Sequence, residues 1–201
     1  TNAQYWQCID AGACQPPKDW RMDKSSINQP AANLTWSQAG AYCNWLGGRL
    51  PTEGEWEKAA RGPNNYVYAW GNTWDALKAN LEHFKSGTVE SILKFAQSDI
   101  NAYSIKNMSG NVQEWTASDC SPDTCRKTVG QKFSNEIIAP IDAVIVRGGS
   151  WINERSEGMA SQRRVNSLSN RRPEIGFRCV CPNSQTCKFP WGWVWVWFGK
   201  Y

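Results

Sequence analysis

No run of roughly 18 consecutive apolar residues occurs in this 201-residue chain, which excludes a helical membrane span. Histidine is nearly absent: His83 stands alone, too little for a metal site built on several imidazoles. The excess of one sign of charge is small too. The net +4 is mild and makes no case for nucleic-acid binding. Paired carboxylates, a serine–histidine arrangement and a phosphate-cradling glycine loop find no support. No internal repeat or low-complexity linker divides the chain. It opens at Thr1 with neither Met nor a signal peptide, as expected of a processed or trimmed product.

Aromatic and sulfur-bearing residues are plentiful by contrast. Thirteen tryptophans must be buried or committed to a partner. Eight cysteines form an even set whose spacing reads as disulfides rather than zinc ligands, since zinc needs two close ligand pairs converging. Cys8 with Cys14 and Cys120 with Cys125 bracket short loops, and Cys181 with Cys187 is placed to close a third. That leaves Cys43 with Cys179, a long-range staple. Such a framework predicts an oxidising compartment: secreted, cell-surface or periplasmic.

Helix signals concentrate early. Thr1 with Gln4 makes a capping box for a helix to Ile9, with Tyr5, Cys8 and Ile9 on one face. Thr35 and Gln38 open a second helix to Gly47, with Trp36, Ala39, Cys43 and Leu46 inward and Gly47 and Gly48 ending it at positive φ. Thr52 and Glu55 cap a third, with Trp56, Ala59 and Ala60 facing the core and its charges complementing the helix dipole. Residues 83–106 read as a surface excursion with a short helix at Glu90 to Ala96. The 24 residues between Trp151 and Gly176 lack hydrophobic periodicity and are rich in polar side chains. So long an irregular segment in a compact domain points to function.

Five blocks in order carry a resemblance: Ala41 to Gly62 (AYCNWLGGRLPTEGEWEKAARG), Tyr68-Ala-Trp-Gly-Asn72, Gly110-Asn-Val-Gln-Glu-Trp115, Arg147-Gly-Gly-Ser-Trp151 and Gly176-Phe-Arg-Cys179. Together they resemble the formylglycine-generating, or sulfatase-modifying factor, family. The resemblance implies one α+β domain of C-type-lectin-like fold over residues 1–182, with much irregular structure and short antiparallel strands. Residues 183–201 would form a separate Trp-rich tail. Relatives carry a staple like Cys43–Cys179, and they usually have one or two strands before the first helix. Those strands are expected to have been cleaved or to sit on another chain.

The family's oxidation of cysteine to formylglycine uses two thiolates that bind copper(I). Their positions here hold Asn153 and Gly158, so the resemblance implies no copper and no such activity. A family calcium site would use Asn107, the carbonyls of Gly110 and Val112, and Glu114. A second, weaker site would use Asn80 and the Leu81 carbonyl. Within the irregular segment, Arg147, Arg163, Arg171 and Arg178 match framework arginines expected to bond loop carbonyls. Asn153, Glu154, Ser156, Glu157, Gln162, Asn166 and Arg172 are expected to face a ligand, as are Val165 and Ser167. Retroelement-diversified lectin-like proteins place variable residues here, but Glu154, Glu157, Met159 and Gln162 are residues their codons seldom yield.

The tail lies outside the family pattern. Trp191, Trp193, Trp195 and Trp197 alternate with Gly192, Val194, Val196 and Phe198, a strand signal with both faces apolar. Left in water it would template association, so a protein partner or self-association is expected. The alternative is a strand packed on this domain's own surface. The sequence thus predicts a non-catalytic binding or structural subunit. A formylglycine-generating oxidase and a diversified ligand-binding protein stand as alternatives.

Overall fold

The computed structural model describes residues 1–17, 23–81, 87–95, 101–120, 143–182 and 187. Three helices come first: α1 (Asn2–Asp10), α2 (Trp36–Trp45) and α3 (Glu53–Arg61). Each starts at a threonine whose hydroxyl accepts a backbone N–H three residues on. Gln4, Gln38 or Glu55 returns the bond to the threonine N–H. These boxes satisfy donors that a helix start leaves unpaired, each worth about 1 kcal/mol.

At the end of α2 the structure corrects one expectation. Gly47 takes positive φ, but Gly48 does not. Gly48 is needed for space: a Cβ there would stand 2.5 Å from the Val180 carbonyl oxygen. That close approach lets Arg49 and Val180 exchange backbone hydrogen bonds at 3.0 and 2.8 Å.

Among the described residues four short strands follow: β1 (Gln113–Asp119), β2 (Ala143–Arg147), β3 (Arg163–Ser167) and β4 (Ile175–Phe177). They form one sheet in the order β3-β2-β1-β4. The sheet is mixed, not purely antiparallel as expected. β1 pairs antiparallel with β2 and parallel with β4. The cause lies in residues 168–174, which carry the chain from one edge of the sheet to the opposite edge.

Alternation along β1 divides the interior. Trp115 joins Tyr5, Leu34, Cys43, Leu46, Val146 and Ile175 in the larger apolar cluster, beneath α1 and α2. Its indole donates to the Leu34 carbonyl at 3.0 Å. Glu114 belongs to the other face, and its indole partner is Trp56 of α3. Trp56 leads the second cluster, with Ala59, Ala60, Ala69, Ile105, Met108 and Ala160. Cys8–Cys14, Cys43–Cys179 and Cys181–Cys187 are bonded. The Cys120–Cys125 pairing involves residue 125, outside the described residues.

The stretch expected as a surface excursion is built into the domain. Asn101 and Ile105 are buried, and the Asn101 amide donates to the Ala59 carbonyl. Residues 92–94 form a turn, not the short helix expected. The Ile92 N–H and carbonyl are taken by the Asn28 carbonyl and the Asn107 amide, while the Leu93 and Lys94 N–H groups bond back to Ser91, so no helical ladder forms.

Candidate functional site

Glu114 lies opposite Arg147 on β2 and Gly176 on β4, in the middle of the sheet. Three donors meet its buried carboxylate: Arg178 Nε, Arg178 Nη2 at 2.6 Å and Trp56 Nε1 at 2.6 Å. Arg178 also donates to the Asn107 carbonyl at 2.8 Å and the Lys106 carbonyl at 3.3 Å. One guanidinium therefore gathers the 106–107 turn, the end of β4 and the centre of β1. The forked, planar donor set of arginine suits this, where a lysine ammonium would not.

Beyond it a second charged layer ties α3 to β2 and β3. Arg147 is fully buried and lies over the Trp56 ring at 5.4 Å. It donates to the Ser161 and Gln162 carbonyls at 3.0 and 2.6 Å and pairs with Glu57. Burial pulls its pKa below the usual arginine range, and the Glu57 carboxylate opposes that shift. Arg163 approaches Glu53 at 2.9 Å, a charge contact without hydrogen-bond alignment.

A cavity of about 200 Å³ opens beside Glu114. Asn107, Gly110, Val112 and Glu114 all line it, together with Arg178 and Asn111. Tyr5, Tyr42 and Phe177 form an aromatic wall, with centroids 5.6 Å apart for the tyrosines and 5.4 Å for Tyr42–Phe177. Burial pushes both phenols up to about 12.

Side-chain amides hold residues 88–92 beside this cavity. Asn111 accepts from the Glu90 N–H at 2.8 Å and donates to its carbonyl at 3.0 Å. Asn80 donates to the Thr88 carbonyl and to Asn111 Oδ1, at 2.9 and 3.1 Å. Asn107 donates to the Ile92 carbonyl at 2.9 Å, and Gln29 to that of Val89 at 3.0 Å. Asn111 was not singled out from sequence. Its signal was the Gly-Asn of the tight turn, where asparagine tolerates the left-handed φ of +67° it adopts. Leu81 is buried.

In the 151–176 segment the expected ligand-facing set divides. Asn153 is a correction: it is buried, and its Oδ1 accepts from Gln113 Nε2 at 3.1 Å and Ser150 Oγ at 2.7 Å. Glu157 is half-buried and bound to Arg164 at 2.7 Å, which raises the Arg164 pKa through that hydrogen bond. Asn166 accepts from Asn170. Glu154 and Arg172 are exposed, and Ser156, Gln162, Val165 and Ser167 are partly so. Arg171 is exposed too. Gly158 is buried, and a Cβ there would run into Leu81 Cδ1. Trp191, Trp193, Trp195 and Trp197 lie outside the described residues.

The mixed four-stranded sheet under three capped helices defines an α+β domain of the formylglycine-generating type. Treponema denticola variable protein 1 shares that fold, with a TM-score of 0.67 at 18% identity over 88% of this chain and 80% of that one. The chain belongs to the family of the sulfatase-modifying factor enzyme 1-like domain, whose model matches residues 1–182. It is 36% identical over 198 residues to the mouse protein named inactive C-alpha-formylglycine-generating enzyme 2, covering 88% of this chain and 57% of that protein. It is 30% identical over 176 residues to mouse formylglycine-generating enzyme, covering 79% of this chain and 46% of the enzyme. The chain thus spans about half the length of the curated relatives it matches. Among the described residues no helix is long and apolar enough to cross a membrane.

Proposed function

We propose that this chain is a non-catalytic binding or structural domain of the sulfatase-modifying-factor fold, working outside the cytoplasm. One observation carries the reading: Asn153 and Gly158, which stand at the positions the family resemblance gives to the oxidase cysteines, are built into the framework. Asn153 bridges Gln113 and Ser150, and Gly158 gives its side-chain space to Leu81. The name of the inactive mouse relative supports it. The test is copper(I) titration together with incubation of a cysteine-containing sulfatase peptide. Neither tight copper binding nor peptide oxidation is expected. Formylglycine in the peptide would overturn the reading.

Calcium is proposed at Asn107, Gly110, Val112 and Glu114. Their oxygens suit a hard cation, and all four residues line one cavity. A carboxylate has about four lone-pair sites, so Glu114 retains capacity beyond Arg178 and Trp56. The Asn80–Leu81 site is the weaker proposal. The Asn80 amide nitrogen and carbonyl are already engaged within the fold. Dialysis against a chelator should lower the Tm, and calcium should restore it. A Tm indifferent to both would remove the metal from the proposal.

Assembly through the tail rests on its sequence. Deleting Pro190 to Tyr201 should abolish association with a partner or a second copy, as read by light scattering. An unchanged particle mass would sink that part.

A further inference from the structure

Two Asn-x-Ser/Thr tripeptides occur in the chain, Asn33-Leu34-Thr35 and Asn107-Met108-Ser109. As sequence they are equivalent acceptors for an N-linked sugar. The fold separates them. Asn107 Nδ2 donates to the Ile92 carbonyl at 2.9 Å in the cavity wall, while Met108 and Ser109 are buried. A sugar on that nitrogen would displace residues 88–92. Asn33 is partly exposed, in the loop entering α2, with φ of +60°. Its backbone N–H is shared between the Arg172 and Ile175 carbonyls at 3.0 and 3.2 Å. Its side-chain amide makes no hydrogen bond among the described residues, so a substituent there breaks nothing.

We propose that Asn33 is an N-glycosylation acceptor and that Asn107 is not. The proposal rests on the extracytoplasmic reading above. In the transfer, Asn33 Nδ2 attacks the anomeric carbon of a lipid-linked oligosaccharide. The carbon–nitrogen bond forms, the carbon–oxygen bond to the lipid phosphate breaks, and the amide proton goes to the transferase. No redox partner is needed. Thr35 accepts the Gln38 N–H as the cap of α2 and is nearly buried, so the tripeptide is read before α2 forms, and a chain carrying a sugar on Asn107 instead cannot seat residues 88–92 and does not reach the folded state. Once attached, the sugar stands beside Arg172 and shields that end of the 151–176 face. A ligand would then approach from the side of Glu154 and Ser156.

The test uses the full chain recovered from its own cells. Thiols are titrated after denaturation, and the intact mass is taken before and after an amide-cleaving glycosidase in heavy-oxygen water. No free thiol, a drop in mass and heavy oxygen at residue 33 alone are expected. Asn33→Gln should abolish the drop. Thr35→Asp should abolish it as well while preserving a helix cap and creating no new acceptor, which guards against misfolding as the cause. Fully paired cysteines without a sugar would overturn the acceptor and leave the compartment standing. Free thiols without a sugar would overturn both. Label at residue 107 would overturn the proposal outright.

Discussion

Glu114 and Glu55 both bind an arginine at 2.6 Å, yet the two pairs differ in what they contribute. The Glu114 side chain is 7% exposed, and Glu114→Gln would leave the Arg178 cation without its counter-charge. That change should cost about 3 kcal/mol in denaturant unfolding. Arg49 is half exposed, so Glu55→Gln should cost under about 1 kcal/mol. Glu55 still leaves a signature in pH. Its hydrogen bond to Arg49 lowers its pKa from 4.5 to about 2. A depressed carboxyl contributes stability that is full above about 4.5 and is lost as pH falls toward 2. The Tm of Glu55→Gln and of the parent should therefore converge across that window. Tyr5 and Tyr42 have the opposite sign. Burial raises them from 10.0 to about 12, so their contribution is held below pH 10 and lost above it. Ultraviolet titration should show a late-ionising component that shrinks in Tyr42→Phe.

At the scale of elements, the strand interiors come from alternation and the helix starts from threonine. Residues 88–92 come from neither. They are held by amide side chains from three separate parts of the chain, a pattern with no period to read. Asn111→Gly keeps the left-handed backbone and removes the two side-chain hydrogen bonds to the Glu90 backbone. Hydrogen exchange at the Glu90 amide should then accelerate while the amides of β1 stay protected. Equal acceleration in both would mean that Asn111 supports the whole sheet.

For the whole molecule, sequence separation decides which crosslink matters. Cys43–Cys179 closes 136 residues and Cys8–Cys14 closes 6. Chain entropy then assigns about 5 kcal/mol to the first and about 2 kcal/mol to the second. Replacing each pair by serine and comparing denaturant midpoints checks the ratio. A larger loss from the short loop would mean that native packing around Cys8, not the unfolded chain, sets the effect.

The family blocks, the three capping boxes and the inward stripes of α1 to α3 were legible from sequence, because each rests on residues within a few positions of one another. Gly48, the parallel β4 and the role of residues 88–92 were not. Each depends on which distant segment lies alongside, and no local period records that. That Asn153 and Gly158 stand where the family resemblance puts the oxidase cysteines is a reading of the sequence alone. That Asn153 and Gly158 are buried parts of the framework, and not an exposed recognition surface, only the tertiary structure decided. It brought Gln113 and Leu81 against positions some forty and eighty residues further along the chain.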